Sequence, residues 1–160
     1  MKTRVGIGYD SHRFADGDGV LLAGVLIPAR VRLVGHSDGD AVSHAVTDAV
    51  LGGAGVGDIG EMFPDTDEAN RHRNSLDMLR LAVGRVREAG WLPVQLDVTV
   101  ITEQPTLRPH RQAMRTSLAL AIGVDPSAVM VKGKTNERMG WIGRQEGLAV
   151  IAVATLEAVD

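Results

Sequence analysis

Asp10 and His12 place an acid and an imidazole two positions apart in the stretch GYDSHRF, close to Met1. Residues i and i+2 of a strand point to the same side, so both side chains can converge on one point. The alternating residues just before them predict a half-buried strand, and its apolar positions are Val5, Ile7 and Tyr9. Alone, the pair fits either a hydrogen-bonded Asp–His pair at a strand end or part of a metal site.

A second set of possible ligands lies on the helix predicted over residues 38–52, DGDAVSHAVTDAVLG. Asp40, His44 and Asp48 recur at every fourth position and form one polar stripe on that helix. If the helix packs over the first strand, His44 meets the acid and imidazole at its end. Two imidazoles and one carboxylate would then hold zinc with a fourth position open, as in catalytic sites. Asp40 or Asp48 would orient the imidazole by a hydrogen bond.

Three other stretches contain residues that suit phosphate or metal binding. GHSDGD places His36 and Ser37 beside the amides of a predicted helix start, which favours anions, although Ser37 also fits a plain N-cap. KGKTNERMGWIGRQEG, residues 132–147, combines cations, a hydroxyl, a carboxylate and glycines, typical of a phosphate cradle with Mg²⁺ or of an exposed charged loop. The acids of DIGEMFPDTD lie in a long polar loop over 53–73, either functional or simply solvated.

The composition limits the class of protein. The chain has 160 residues, a net charge of −3 and no cysteine, so disulfides and thiolate metal sites are excluded. Its basic residues are scattered, which disfavours binding to nucleic acid. The first ten residues lack the apolar core of a signal peptide, and no stretch is long enough to span a bilayer. We expect one catalytic domain over residues 1–160 and a cytoplasmic location.

The pattern of elements predicts an α+β fold. After the first strand, VLLAGVLIPA predicts one or two short strands, and the helix over 38–52 has Ser37 or Asp38 as its N-cap. A second helix, a strand, a third helix and two closing strands follow along the chain. This order predicts a two-layer α/β sandwich, in which one mixed β-sheet carries its helices on one face.

Four stretches together resemble one enzyme family. GIGYDSHRF, LVGHSDGDAVSHAVTDAVLGGAGVGDIGEMFPDTD, EQPTLRPH and KTNERMGWIGRQEG are similar to the 2-C-methyl-D-erythritol 2,4-cyclodiphosphate synthases, and the resemblance covers essentially the whole chain. It implies a role in the non-mevalonate isoprenoid (isopentenyl diphosphate) pathway. There, the 2-phosphate of 4-diphosphocytidyl-2-C-methyl-D-erythritol 2-phosphate attacks the β-phosphate and CMP is released, which makes the enzyme a phosphorus–oxygen lyase.

The resemblance also implies roles for particular residues. Zinc would be held by Asp10, His12 and His44, and a second divalent metal, Mg²⁺ or Mn²⁺, by Glu137. The transition state would be stabilised by His36 and Thr135. Asp58 and Gly60 would bind the ribose, residues 63–67 would line the erythritol pocket and residues 102–108 would recognise the cytosine. Thr135 and Glu137 would bind the diphosphate, and Arg144 would add positive charge near the phosphates. The full set of substrate contacts would be Asp10, His12, His36, Ser37, Asp58, Ile59, Gly60, Phe63, Asp65, Asp67, Thr102, Gln104, Pro105, Thr106, Leu107, Arg108, Lys134, Thr135, Asn136, Glu137, Trp141 and Arg144.

The family resemblance further implies a homotrimer with active sites between neighbouring subunits, so that the loop over 58–67 serves a partner's nucleotide pocket. Two positions depart from the family pattern, because Thr106 stands where many relatives have lysine and Trp141 replaces the usual phenylalanine. Two other functions compete with the synthase. One is a zinc-dependent phosphodiesterase or nucleotide hydrolase with the same ligands, and the other is a non-catalytic nucleotide-binding module whose metal only shapes the fold.

Overall fold

The computed structural model describes residues 2–159 and contains one five-stranded mixed sheet. The strand order is β4–β1–β7–β5–β6, and the last pair is parallel whereas the other pairs are antiparallel. These strands are β1 (Thr3–Asp16), β4 (Val31–Val34), β5 (Trp91–Ile101), β6 (Val129–Lys134) and β7 (Gly147–Ala158). The short strands β2 (Gly19–Leu22) and β3 (Val25–Pro28) form a separate hairpin. Its two-residue turn, Ala23 and Gly24, has positive φ at both positions, as such hairpins require.

The long helices cover one face of the sheet and make the second layer. They are α1 (Ala41–Ala54), α3 (Ser75–Glu88) and α4 (Arg111–Ile122), which pack on β1 and β7, on β5, and on β6 respectively. Two single-turn helices, α2 (Ile59–Met62) and α5 (Gly140–Gly143), lie in the connections. This arrangement confirms the predicted two-layer α+β sandwich. None of the helices described is both long and apolar enough to cross a lipid bilayer.

Two glycines of β1 set the distance between the two layers. A Cβ atom on Gly8 would lie 2.8 Å from the carbonyl carbon of Ala45, and one on Gly6 would lie 2.6 Å from the nitrogen of Gly53. Both distances are shorter than carbon atoms tolerate in ordinary van der Waals contact. Glycine at these positions therefore allows α1 to lie directly against β1.

The burial of β1 is the reverse of what its alternation suggests. Val5, Ile7 and Tyr9 are 66%, 70% and 56% exposed, whereas Gly6 and Gly8 are buried under α1. Ile7 pairs with Val153 and Tyr9 with Ile151 on β7. The sheet face opposite the helices therefore carries an exposed apolar patch, defined here as Val5, Ile7, Tyr9 and Ile151, and the partly exposed Val153 lies beside it.

The start of α1 also differs from the prediction. The N-cap is Asp40 and not Ser37 or Asp38, and its side chain accepts a hydrogen bond from Ser43 N. The helix therefore begins about three residues later than the sequence pattern indicated. The strand β4 and the short helices α2 and α5, of four residues each, were not predicted.

Candidate functional site

Asp10, His12 and His44 converge where α1 lies against β1. The strand continues past both β1 residues to Asp16, so the pair is not at a strand end as the sequence suggested. Asp10 Oδ2 lies 2.8 Å from His12 Nε2 and 3.1 Å from His44 Nδ1, and the two nitrogens are 3.3 Å apart. Their side chains are only 26%, 13% and 12% exposed. These three residues, called the triad below, lie together as the i, i+2 spacing and the helix over the strand predicted.

Hydrogen bonds behind the triad fix which nitrogen of each imidazole carries a proton. His12 Nδ1 lies 2.8 Å from the carbonyl oxygen of Val34 on β4, so this nitrogen donates and Nε2 is left with its lone pair. His44 Nε2 lies 2.8 Å from the hydroxyls of both Ser37 and Ser75. With Nε2 as the donor, Nδ1 of His44 also faces the triad with its lone pair.

The triad fits a divalent metal ion. With both imidazoles neutral, two nitrogen lone pairs and a carboxylate oxygen face one another, an arrangement that a cation relieves. Two imidazoles and a carboxylate are ligands that zinc accepts, and a fourth position would remain for substrate or water. Tetrahedral zinc separates its ligand atoms by roughly 3.3 Å when each lies about 2.0–2.1 Å from the metal. The observed separations of 2.8–3.3 Å come close to that spacing.

The charges of the triad support each other. Burial opposes ionisation of Asp10, but the hydrogen bonds and charges of His12 and His44 outweigh it and hold the pKa of Asp10 below its usual value. Burial likewise opposes protonation of His12, but the hydrogen bond with Asp10 and its charge outweigh it and raise the pKa of His12. A proton between Asp10 and His12 would therefore compete with a metal ion for the same position.

Asp40 and Asp48 do not orient His44, contrary to the sequence-based expectation. Asp40 is fully buried, and its carboxylate accepts hydrogen bonds from the backbone amides of Ala23 and Gly24 and from Ser43. Asp48 accepts from the amide of Ile59, at 2.8 Å, and so holds the start of α2. The i, i+4 spacing placed these acids on the correct face, but both turn toward backbone amides.

The triad opens into a cavity of about 480 Å³, called the triad cavity below. It brings together many predicted residues that are far apart in the sequence, and α2 and the loop after it form one wall. The predicted residues that line it are Asp10, His12, His36, Ser37, His44, Ile59, Gly60, Phe63 and Asp65. Pro64, Thr66, Asn70 and Met78 line it as well.

His36 contributes a buried polar atom that the protein leaves unpaired. Its Nε2 has no hydrogen-bond partner among the residues that the structure describes. Most buried polar groups in proteins are hydrogen-bonded, so an unpaired nitrogen lining a cavity is suited to a ligand. Asp58 and Asp67, by contrast, accept hydrogen bonds from the amides of Glu61 and Ala69 and cap short helical turns.

A second cavity, called the strand-end cavity, lies where β5 and β6 end. It has a volume of about 290 Å³ and shares no lining residue with the triad cavity over residues 2–159. Its lining includes the predicted residues Thr102, Pro105, Thr106, Leu107, Arg108, Lys134 and Thr135, together with Glu103, Arg111 and Gly133. The structure therefore divides the predicted residues between two separate cavities of one chain.

The loop after Thr135 is held by a glutamate that the sequence did not single out. Glu103 Oε1 accepts hydrogen bonds from the amides of Asn136 and Arg138, at 3.0 and 3.1 Å. Glu137, between them, is exposed and has a φ of +52°. Asn136 donates its side-chain amide to the carbonyl of Met139, and Gln104 is outside the lining of the strand-end cavity.

Trp141 and Arg144 are outside the lining of both cavities. Trp141 lines a third cavity, which shares His12 with the triad cavity, and Arg144 forms an exposed ion pair with Glu146, another residue of that lining. Exposed ion pairs contribute little to stability. Ser75 and Asp38, which lie behind His44, were also missed from the sequence. Their residue types are common at helix starts, and only the packing of α3 against α1 shows their role.

Comparison with known proteins agrees with this geometry. The YgbB family model matches residues 3–157. A protein from Gemmatimonas aurantiaca named 2-C-methyl-D-erythritol 2,4-cyclodiphosphate synthase is 60% identical over 156 residues, which cover 98% of this chain and 94% of that protein.

Two solved structures show the same fold. The bifunctional IspDF from Campylobacter jejuni superposes with a TM-score of 0.95 at 41% identity, over 99% of this chain and 43% of that one. IspF from Plasmodium falciparum, in a CDP complex, has a TM-score of 0.86 at 31% identity over 99% of this chain and 97% of that one. Since both the family model and these relatives match nearly its whole length, the chain belongs to the YgbB family of 2-C-methyl-D-erythritol 2,4-cyclodiphosphate synthases.

Proposed function

We propose that this protein cyclises 4-diphosphocytidyl-2-C-methyl-D-erythritol 2-phosphate within the non-mevalonate isoprenoid pathway. An oxygen of the 2-phosphate forms a bond to the β-phosphorus, and the bond between that phosphorus and the bridging oxygen breaks. CMP leaves with the bridging oxygen and its electron pair, and no water is consumed, as in a phosphorus–oxygen lyase. The observation that carries the proposal is the triad, open to a cavity that His36 and Ser37 also line.

Phosphoryl transfer depends mainly on positioning and on neutralising charge. Asp10, His12 and His44 would hold zinc, and Glu137 would hold Mg²⁺ or Mn²⁺. Bound there, such ions supply positive charge and Lewis acidity at the phosphate oxygens.

The side chains of the triad cavity would bind and orient the reacting phosphates. His36 would contact a phosphate oxygen and help to stabilise the transition state, and its position in the lining of the cavity supports this role. Ser37 Oγ accepts from His44 Nε2 and keeps its own hydrogen to donate to the substrate. Phe63, Pro64 and Met78 give part of the cavity an apolar wall, which limits water near the reacting phosphates and so disfavours hydrolysis.

The strand-end cavity would bind the cytidine diphosphate end of the substrate. Lys134 and Thr135 would face its phosphates, whereas residues 102–108 would contact the cytosine largely through backbone groups. The CDP complex of the Plasmodium falciparum relative supports a nucleotide-binding role. Thr106 brings a hydroxyl where many relatives have a charged lysine, and so would weaken one phosphate contact.

We further propose a homotrimer, in which the strand-end cavity of one copy adjoins the triad cavity of the next. Ile101 pairs with Ala149, which pairs with Ser11, so both cavities lie at the same end of the sheet. The two cavities share no lining residue, so each would supply one half of an active site that forms between neighbouring copies. The exposed apolar patch of β1 and β7 supports the assembly, because apolar patches favour protein–protein contact.

Phosphorus NMR of the zinc-loaded protein with the cytidyl substrate and Mg²⁺ tests the activity. We expect two coupled signals of a cyclic diphosphate together with those of CMP. CMP without a cyclic product would instead show the zinc-dependent hydrolase. No turnover by folded, zinc-loaded protein would refute the proposal.

The His44→Ala variant separates catalysis from a purely structural metal. We expect it to lose turnover while its circular dichroism spectrum and its oligomeric state in sedimentation remain those of the parent. If the variant unfolds instead, the metal serves the fold, as in a non-catalytic binding module. Ser127→Ala, at an exposed turn after α4, is a matched control that should change neither property.

A further inference from the structure

Behind His44, away from the other two triad residues, two residues form a continuous chain of hydrogen bonds. Ser75, the first residue of α3, is fully buried, and its hydroxyl lies 2.8 Å from His44 Nε2. The same hydroxyl makes a short hydrogen bond to Asp38 Oδ1, and the backbone amide of Ser75 donates to Asp38 Oδ2 at 2.9 Å. Asp38 also accepts from the amide of Asp40 at 3.1 Å.

The direction of these hydrogen bonds follows from the carboxylate. An ionised carboxylate accepts and never donates, so the hydroxyl hydrogen of Ser75 must point to Asp38. The Ser75 oxygen then has only lone pairs left for His44, and Nε2 of His44 must carry the hydrogen. In a neutral imidazole only one nitrogen is protonated, so Nδ1 keeps the lone pair that a metal ion needs.

The opposite tautomer has a partner of its own. If the hydrogen were on Nδ1 of His44, it would be donated to Asp10 Oδ2, which lies 3.1 Å away. That arrangement would remove one of the three ligands of the triad. Asp10 therefore favours the tautomer that cannot bind metal, whereas the chain through Ser75 favours the one that can.

We propose that Asp38 and Ser75 are positioning residues that hold His44 as the Nε2–H tautomer and direct its Nδ1 to the metal. This inference rests on the proposed metal site and assigns a role to two residues that the family resemblance left without one. These hydrogen bonds also connect three separate parts of the fold, namely the loop before α1, α1 itself and the start of α3. Substitution of a residue that hydrogen-bonds to a metal-bound histidine typically weakens metal binding by about 10–100-fold.

Ser37 provides an internal comparison. Its hydroxyl lies at the same 2.8 Å from His44 Nε2, but its other hydrogen bond goes to Ser75 at 3.5 Å and not to a carboxylate. No carboxylate fixes the direction of its hydrogen, so Ser37 accepts from the Nε2–H of His44 without selecting that tautomer. Ser37→Ala should therefore weaken zinc binding by less than about threefold, whereas Ser75→Ala should weaken it by about 10–100-fold.

The test measures zinc affinity by competition with a chromophoric chelator for the parent, Ser75→Ala, Asp38→Asn and the double variant. We expect about 10–100-fold weaker binding for each single variant and no further loss in the double one, since Asp38 acts through Ser75. Additive losses would overturn the chain of hydrogen bonds, as would an unchanged affinity of Ser75→Ala. Thermal unfolding of the zinc-free variants shows whether any loss comes from the fold.

A second measurement reads the tautomer directly. In the zinc-free parent, long-range proton–nitrogen correlations of His44 should show a protonated Nε2, and Ser75→Ala should shift the population toward a protonated Nδ1. The same tautomer in both proteins would overturn the inference. Failure of the proposed function is distinguishable, because a parent that binds zinc through the triad without cyclising the substrate leaves these expectations unchanged.

Discussion

The close contact between β1 and α1 at Gly8 predicts that the substitution Gly8→Ala destabilises the fold. The added methyl carbon would overlap the carbonyl oxygen of Ala45, and it would lie 2.8 Å from the carbonyl carbon of that residue and 2.9 Å from the nitrogen of Ala49. Carbon atoms in contact are about 3.5–4.0 Å apart, so α1 must move away by at least roughly 1 Å. The neighbours are backbone atoms of a helix and cannot rotate aside. We therefore expect a cost of about 3 kcal/mol, at the upper end for overpacking.

The same movement would separate His44 from the other triad residues, because His44 precedes Ala45 on the helix. A loss of about 3 kcal/mol corresponds to a fall in melting temperature of about 6–12 °C for a chain of this length. Zinc affinity should fall by about tenfold or more, as for other disturbances of ligand position. Thermal unfolding and chelator competition measure the two effects on the same samples.

Gly52→Ala is the matched control on the same helix. A Cβ at Gly52 would meet nothing within 4 Å, and alanine is favoured over glycine in a helix by about 1 kcal/mol. This variant should be at least as stable as the parent and should bind zinc equally well. A Gly8→Ala protein with the parent's stability and zinc affinity would refute the role of Gly8 in placing α1.

Three other predictions concern buried charges. Asp40→Ala should reduce the free energy of unfolding in urea by about 3 kcal/mol or more, since it leaves several buried donors unpaired, and a loss below about 1 kcal/mol would contradict this. Burial and nearby acids raise the pKa of Asp48, so the ionised carboxylate destabilises the fold once the pH is above that pKa. Asp48→Asn should therefore raise the melting temperature of the zinc-free protein at pH 8 but not near pH 3, and an equal rise at both pH values would refute this. Because the pKa of His12 is raised, zinc affinity should increase with pH until that pKa is passed and then level off. Asp10→Asn should move the midpoint of this rise to lower pH, whereas a zinc affinity that does not change between pH 5.5 and 9 would contradict the prediction.

Much of the architecture could be predicted from apolar periodicity, but not the buried face of β1. Alternation identifies the strand and suggests that its large apolar residues, Val5, Ile7 and Tyr9, face the core. The structure buries Gly6 and Gly8 instead, because only glycine lets a helix approach so closely. Which face a helix covers depends on long-range packing, and residue size along one strand does not contain that information.

The triad could be predicted because its residue types are specific and its spacings are regular. Asp38 and Ser75 could not, since they are 37 residues apart and meet only when α3 packs beside α1. Asp40 was predicted as a partner of His44 from its spacing, but a helix start offers unpaired amides that attract the same carboxylate. The role of Glu103 could not be predicted for a similar reason, because the backbone amides that donate to its carboxylate lie on a loop more than thirty residues later.

The central claim is that the phosphates of one substrate molecule react with each other, without water, in the cavity of the triad. Mass spectrometry of the products formed in ¹⁸O-labelled water tests it most directly. We expect CMP and a cyclic diphosphate, both without ¹⁸O, from the parent and neither product from His44→Ala. CMP together with an open-chain 2,4-bisphosphate, with one ¹⁸O atom in either product, would contradict this claim and identify a hydrolase.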